Sequence, residues 1–539
     1  MKAPWSRLAI LLQAFPEPDG QQQPAPLEAR LALSGGGGSS SGSSNAKTTP
    51  PSSTNTTAGL PPTTKIGSLT FAPCGASLGL KSIDVLQCAN LSVPVSYKDP
   101  AGEQATVTLV RLPASKQNQR IGTLWFNPGG PGVPATRVVD LIVQKRQNFS
   151  DVVRDRFDII GMDPRGVGLS TPKVMCDTDI SNEMLPRLDP NNQTTLDIFT
   201  ASTRRLAESC RKRTGRLFDN VDTMSVAKDM EAARLAMGGE QITFFGQSYG
   251  TQLGAQYAAL FPGSVRALLL DGVLQHSNSD VANQLISQST SQATLLQFFK
   301  TCTADPTCPL AGKDVAAVWA SLVSRAKAGK LQATQCDNTR ATGCLRDIHP
   351  EDLVSAARNN LFFSRFAPSI FGGMLASAAN SGDGTPFATS LRTGAPQDNE
   401  GFAFQAVTCQ DGTFAPAPSL ADLQSRAAVS AIVATVPGFE DMWLIDTLCT
   451  GWTPTNTNPL KTLGVRNLKN PTMIVSSVFD PATSLVWARG MVDEIQGSQL
   501  FIRNGTGHTS YFVGNESKKA MDDYLVNLKL PPPGTMFQS

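Results

Sequence analysis

A Gly-x-Ser-x-Gly segment at residues 246–250 constrains the fold more than any other feature of the chain. The β-branched and aromatic run at 242–245 that precedes it is typical of a buried strand. Apolar residues at helical spacing follow over 252–261, and Pro262-Gly263 would end that helix. A strand, a sharp turn and a helix expose the central Ser248 in a strained conformation that requires small neighbours. The segment predicts either a nucleophile on a strand–helix sheet or an ordinary glycine-rich turn.

Short apolar runs that end in Gly, Pro or Asp turns recur along the chain and alternate with helical patterns such as 222–237. This alternation predicts an α/β fold with a mostly parallel central sheet, in which the strand before Ser248 is central. The predicted strands lie within 105–112, 122–132, 157–170, 242–248, 265–273, 471–484 and 498–511.

The strand–helix alternation stops at about residue 276, and helical patterns such as 315–328 and 350–360 follow. We interpret this region as a mainly helical cap inserted into the core. The N-terminal segment is rich in Gly, Ser, Thr and Pro and cannot bury enough apolar surface to fold, so we expect a disordered leader or linker there. The predicted organisation is leader 1–64, core 65–275, cap 276–396 and second part of the core 397–539.

The charge balance argues against a nucleic-acid partner, because the chain has 46 Lys and Arg residues and 44 Asp and Glu residues, which give a net charge of +2. The sequence contains no run of 18 apolar residues, so no membrane-spanning helix is predicted. A short apolar run at 8–12 has no clear cleavage pattern after it, so a signal segment is not identified. The sequence leaves the oligomeric state open.

Ten cysteines and only three histidines, with no Cys-x-x-Cys spacing, favour disulfides over a metal site. Asn-x-Ser/Thr sequons accompany them at Asn55, Asn90, Asn148, Asn192, Asn504 and Asn515. We therefore expect a disulfide-bonded glycoprotein that is extracellular or in the secretory pathway. Spacing does not fix the connectivity. It favours the local pairs Cys74–Cys88, Cys176–Cys210, Cys302–Cys308, Cys336–Cys344 and Cys409–Cys449.

Ser248, Asp480 and His508 have the chain order of a nucleophile, an acid and a base in hydrolases built around such a serine turn. Each follows a predicted strand at its carboxyl end, where strand–helix sheets bind their ligands. The imidazole would take the serine proton, and the buried acid would orient the imidazole. Asp271 is the second candidate for the acid, with loop anchoring as its competing role. Weaker candidates are Asp158 and Asp163 for the acid, and His276 and His349 for the base.

The sequence Asn-Pro-Gly-Gly-Pro-Gly at 127–132 follows an apolar run. Glycines there allow the backbone to approach a substrate closely, so the amides of Gly129, Gly130 and Tyr249 are candidates for an oxyanion hole. An ordinary Gly-Pro turn would have the same sequence. The resulting mechanism forms an acyl-enzyme on Ser248 and needs no metal or organic cofactor.

Several segments resemble the secreted tripeptidyl aminopeptidases, which are proline-iminopeptidase-like serine peptidases of the α/β-hydrolase fold. The resemblance covers roughly residues 70–530 and implies an exopeptidase that releases short peptides from free N-termini. From about residue 400 the chain resembles the TAP-like C-terminal domain that carries the acid and the base. The proline-iminopeptidase branch has His in place of Pro128, which argues against release of single prolines. The segments include "LWFNPGGPG", "FDIIGMDPRGVGLST", "FGQSYGTQLGAQYAALFPGSVRALLLDGV", "AVTCQDG", "VFDPATS" and "GTGHTS".

An aminopeptidase must hold a protonated amine, and a buried ammonium requires a carboxylate partner. Asp411 in "AVTCQDG" is the candidate for this partner, because the resemblance puts the segment near the site. Its competing role is a buried turn cap beside Cys409. Three further functions also stay open: an esterase or lipase-like hydrolase, a serine carboxypeptidase-like enzyme, and a non-catalytic binding protein with the same fold.

Overall fold

The computed structural model describes residues 62–145, 147–181, 183, 185–338, 344–363, 366–388, 399–412, 419–452 and 458–538. The predicted leader 1–64 therefore lies outside the described residues except at its last three positions, and the sequon at Asn55 lies outside them too.

The described residues form an 11-stranded sheet in the order β1-β2-β3-β4-β6-β5-β7-β8-β9-β10-β11. From β6 through β5 to β11 all neighbours are parallel, which confirms the mostly parallel sheet, whereas β1 to β4 add an antiparallel edge. The strands are β1 Thr64–Ile66, β2 Leu69–Pro73, β3 Gln87–Pro94, β4 Gln104–Leu112, β5 Gly122–Asn127, β6 Phe157–Met162, β7 Ile242–Gln247, β8 Val265–Asp271, β9 Met473–Phe479, β10 Gln499–Thr506 and β11 Met536–Gln538.

Both faces of the central strands are buried, which explains their continuous apolar runs. On β8, Leu268 and Leu270 join one apolar cluster, while Ala267 and Leu269 join a second cluster on the other face. Helices cover these faces. They are α1 Ala135–Val143, α2 Asp151–Arg156, α3 Thr178–Ser181, α4 Gln193–Thr214, α5 Thr223–Ala236, α6 Tyr249–Leu260, α13 Leu485–Glu494 and α14 Asn515–Asn527.

A helical region separates β8 from β9. Its helices are α7 Asp280–Ala304, α8 Val315–Lys327, α9 Pro350–Leu361, α10 Ala367–Ser381, α11 Asn399–Asp411 and α12 Leu420–Val433, followed by a 3₁₀ helix at Phe439–Thr447. The first four of these helices bury an apolar cluster of their own, which includes Trp319 and Phe371. The sheet resumes only at Met473, so helices continue well past residue 396, where the sequence predicted the second part of the core to begin.

The two helices after residue 396, α11 and α12, pack against different parts of the molecule. Helix α11 packs with the sheet cluster through Phe402, Ala403 and Ala406. Helix α12 instead is tied to α7 by a row of glutamines spaced one turn apart. The side-chain amide of Gln288 donates to the carbonyls of Ser430, at 2.8 Å, and Phe439, at 3.1 Å. Gln284 and Gln292 donate to carbonyls of α12 in the same way. Polar contacts of this kind leave no apolar pattern in the sequence.

All five favoured cysteine pairs form disulfides, which confirms that prediction. Such bonds persist in oxidising compartments, so they favour a protein located outside the cytosol. The sequon residues Asn90, Asn148, Asn192, Asn504 and Asn515 are all exposed. Within the described part of the chain, no helix combines the length and apolar character needed to cross a membrane.

Candidate active site

Ser248 occupies a sharp turn between β7 and α6. Its backbone has φ 56° and ψ −129°, a region that non-glycine residues rarely adopt. The turn is fixed from both sides: the Ser248 amide donates to Asp271 O at 3.1 Å, and Thr251 Oγ1 donates to Ser248 O at 2.6 Å. The serine therefore lies directly beyond the carboxyl end of the central strand β7.

Gly246 and Gly250 flank the serine because neither position has room for a side chain. A Cβ on Gly250 would lie 2.4 Å from Asn127 O, and a Cβ on Gly246 would lie 2.2 Å from Gly250 O. Both distances are far below van der Waals contact, so β5, β7 and α6 approach one another closely only with glycine at these positions.

Asp480 and His508 are brought together by the ends of β9 and β10. His508 Nδ1 lies 2.9 Å from each carboxylate oxygen of Asp480. Thr483 donates to the same carboxylate through its amide and its hydroxyl, both at 2.8 Å, and the amide of Ala482 donates at 2.8 Å. Burial alone would raise the pKa of Asp480, but His508 and these hydrogen bonds outweigh it and hold the pKa below the usual value. An ionised Asp480 orients the imidazole with Nδ1 as the donor.

Two buried side chains of the core, Asp271 and Arg503, anchor the loop that carries His508. Arg503 was not among the residues that the sequence analysis singled out. Asp271 accepts from the amides of Ser510 and Tyr511 at 2.9 and 3.0 Å. Arg503 donates to the carbonyls of Thr506, Gly507 and Thr509 at 2.9 to 3.0 Å. Asp271, the second candidate for the acid, thus anchors this loop, and it also accepts from the Gln247 side-chain amide at 3.0 Å.

The weaker acid and base candidates contact residues other than Asp480 and His508. Asp158 pairs with Arg111 at 2.9 Å, and Asp163 accepts from the Thr136 amide at 2.9 Å. His349 precedes α9, and its amide donates to Asp352. His276 lies 3.2 Å from the Gln252 amide nitrogen and lines the cavity described below, where burial lowers its pKa.

His508 Nε2 is buried and has no hydrogen-bond partner among the described residues. This is the nitrogen that would take the serine proton. Ser248 itself lines a cavity of about 270 Å³ between the core and the helical region, together with Thr483 of the Asp480 loop.

The predicted oxyanion residues differ in what their amides contact. Gly130 and Tyr249 line the cavity. The amide of Gly129 instead donates to Asn127 Oδ1 at 3.0 Å, and a Cβ on Gly129 would lie 2.8 Å from Ser248 Cβ. Gly129 therefore permits close approach to the serine, while its N–H is already engaged.

Asp411, the candidate amine ligand, lines the same cavity as Ser248. Four neutral donors contact its carboxylate: Asn458 Nδ2 and the Thr223 amide at 3.0 Å, Gln252 Nε2 at 3.2 Å, and the Thr223 hydroxyl. Burial, together with the nearby charge of Asp222, raises the pKa of Asp411 to about 7 despite the hydrogen bonds from Thr223 and Asn458. Within the described part of the chain, its carboxylate therefore accepts hydrogen bonds but pairs with no cation.

The chain is similar to known hydrolases. A family model described as alpha/beta hydrolase fold matches residues 123–366, and one described as TAP-like protein matches residues 435–536. Carboxylesterase B of Mycobacterium tuberculosis (strain ATCC 25618 / H37Rv) is 31% identical over 469 residues, which cover 84% of this chain and 86% of that protein. The chain belongs to the TAP-like serine peptidases of the α/β-hydrolase fold.

Two further relatives of this TAP-like chain carry peptidase names. Serine protease Hip1 of the same Mycobacterium tuberculosis strain is 29% identical over 464 residues, covering 83% of this chain and 86% of that protein. Tripeptidyl aminopeptidase of Streptomyces lividans is 32% identical over 199 residues, covering 36% of this chain and 37% of that protein. The predicted family and fold are confirmed, and the TAP-like chain is a serine hydrolase.

Proposed function

We propose that this serine hydrolase is an exopeptidase that releases short peptides, tripeptides in particular, from free N-termini. The observation that carries the proposal is the Asp411 carboxylate in the wall of the Ser248 cavity, with only neutral donors contacting it among the described residues. A protonated N-terminus would supply the missing positive charge, and a buried ion without a partner is costly. The peptidase names of two relatives, Hip1 and tripeptidyl aminopeptidase, support a peptide substrate.

Asp280 is a second carboxylate in the cavity wall, and its surroundings explain why we prefer Asp411. The carboxylate of Asp280 lies 3.6 Å from the guanidinium of Arg426, so its charge is already balanced by a cation. An arriving ammonium would have to compete with that guanidinium. This contrast also provides a matched control for experiments on the amine site.

The contact of Asp411 with Gln252 of α6 supports release of short peptides rather than single residues. Gln252 is one helical turn beyond Ser248, which is a rise of about 6 Å, and its side chain reaches Asp411. Three extended residues span about 10 Å, whereas one residue spans about 3.5 Å.

In the proposed mechanism His508 takes the Ser248 proton through Nε2 while Asp480 stabilises the imidazolium through Nδ1. Ser248 Oγ then bonds to the carbonyl carbon of the scissile peptide, and the amides of Gly130 and Tyr249 donate to the oxyanion. Collapse breaks the C–N bond as His508 returns its proton to the leaving amine. Water, deprotonated by His508, hydrolyses the acyl-enzyme and releases the N-terminal peptide.

A carboxylesterase is the second candidate, because Carboxylesterase B matches most of the chain and a serine triad acts on amides and esters alike. A substrate panel separates the two candidates. It contains tripeptide anilides with free and acetylated N-termini, peptides with amidated C-termini, and simple acyl esters. The aminopeptidase requires a free amine, whereas an esterase hydrolyses esters without regard to one.

The panel also tests the two remaining functions. A requirement for a free C-terminal carboxylate would indicate a carboxypeptidase-like enzyme, and silence with no labelling by a serine-reactive phosphonate would indicate a binding protein. Ser248→Ala is the control for catalysis and should abolish turnover. Near wild-type turnover in that variant would remove Ser248 from the mechanism.

We further propose that the protein is secreted, on the basis of the disulfides and the exposed sequons.

A further inference from the structure

His508 is contacted from the helical region as well as from the core. Phe362, which follows the last residue of α9, accepts a hydrogen bond from the His508 amide through its carbonyl, at 3.0 Å. Its ring also lies against the imidazole, with the ring centroids 4.4 Å apart and the planes inclined by 51°. One residue of the inserted region thus holds both the backbone and the side chain of His508.

These two contacts add to those that hold the loop from the core. The core anchors, Asp271 and Arg503, bind the backbone on either side of His508. Asp480 fixes Nδ1 of the ring. The His508 amide itself is bound by Phe362 O. The ring orientation therefore depends on how the end of α9 is seated against the loop.

We propose that Phe362 is a positioning residue for His508, through which the seating of the helical region sets the orientation of the imidazole. This inference rests on the proposed role of His508 as the base. The side chain of His508 is only 3% exposed, and its Nε2 has no hydrogen-bond partner among the described residues. Loss of the Phe362 ring would leave the imidazole free to rock about Nδ1 and would admit water beside Nε2.

The effect of that loss is a fall in kcat, because misplacement of a reacting group by about 1 Å can cost on the order of 100-fold. Phe362 also lines the cavity, so a mere role as a substrate wall would raise KM and leave kcat unchanged. The division between kcat and KM therefore separates positioning from substrate contact.

The experiment compares Phe362→Ala, Phe362→Leu and Phe362→Tyr in the full chain. Phe363→Ala is the comparison variant, because the Phe363 ring packs on Phe362 with the centroids 5.0 Å apart but lies outside the cavity lining. It tests whether loss of aromatic packing at the end of α9 is enough to produce the effect. Each variant is assayed for kcat and KM on the best substrate of the panel, for the rate of Ser248 labelling by a serine-reactive phosphonate, and for its thermal unfolding midpoint.

We expect Phe362→Ala to lower kcat and the labelling rate together by roughly 10- to 100-fold with little change in KM. Phe362→Tyr should stay within a few-fold of the wild type, as should Phe363→Ala. If the alanine variant fails to fold, the leucine variant decides the question. Wild-type kcat in the folded variant, a change in KM alone, or an equal loss in Phe363→Ala would overturn the proposal. Activity that survives His508→Ala would instead refute the proposed mechanism.

Discussion

The raised pKa of Asp411 predicts an unusual pH dependence for substrates with a free amine. Binding requires an ionised Asp411 and a protonated N-terminus. The pKa of Asp411 is raised to about 7 by burial, and an α-amino group titrates at about 7.7 to 8.0. Below about pH 7 the proton on Asp411 removes the attraction, and above about pH 8 the substrate loses its charge. Amine recognition is therefore strongest in a narrow window between these values.

The magnitude follows from the fraction of Asp411 that is ionised and the fraction of the amine that is protonated. Their product is greatest near pH 7.4, falls about sixfold by pH 6 and falls about eightfold by pH 9. The acid limb belongs to the free enzyme, so it is expected in kcat/KM. In kcat it shifts to lower pH, because the bound ammonium favours the ionised carboxylate.

The assay measures kcat/KM from pH 5.5 to 9 for a free tripeptide anilide and for an N-acetylated ester, and reports their ratio. Because both substrates use the same serine and imidazole, the ratio cancels the titration of the catalytic groups. Asp411→Asn should flatten the ratio, whereas Asp280→Asn, at the ion-paired carboxylate, should retain its bell shape. A ratio that does not vary with pH in the wild-type protein would refute the assignment of Asp411 to the amine.

Three further predictions address the catalytic geometry and the helical region. Asp480→Asn should lower kcat about 10⁴-fold with little change in thermal stability, and a loss below tenfold would argue against its role as the acid. Gln288→Ala leaves the buried carbonyls of Ser430 and Phe439 without this donor and should lower the free energy of unfolding in urea by about 2 to 4 kcal/mol, against almost no change for the exposed Ser289→Ala. Gly250→Ala places a Cβ 2.4 Å from a backbone carbonyl and should abolish phosphonate labelling, whereas Gly263→Ala, which meets nothing within 4 Å, should not; normal labelling of the first variant would contradict the steric argument.

The sequence predicted the central strands and the serine turn because each depends on local patterns. A strand buried on both faces must be continuously apolar, and the turn at Ser248 requires glycines at fixed offsets. Of the antiparallel edge, only β4 was predicted as a strand. Strand β3, "QCANLSVP", mixes exposed and buried positions and has no continuous apolar run.

The order of Ser248, Asp480 and His508 was also readable from the chain, because each follows a strand end. The contacts of Phe362 and Arg503 with the His508 loop were not predicted. Their partners in the loop are the His508 amide and the carbonyls of Thr506, Gly507 and Thr509, and such backbone groups leave no pattern in the sequence. The choice between the two roles of Asp271 could be made only from its contacts. Its carboxylate binds the loop amides beside His508 rather than the imidazole itself.

The neighbouring strands β8 and β9 have a consequence for how such an enzyme diversifies. A crossover between parallel neighbours needs only about a dozen residues, yet this chain inserts the whole of 272–472 between them. Length and composition within that insertion can change without altering the register of the strands that end beside Ser248 and Asp480. The end of α9 is the exception. An insertion without the Phe362 contacts would leave the sheet unchanged but would no longer hold His508 in place.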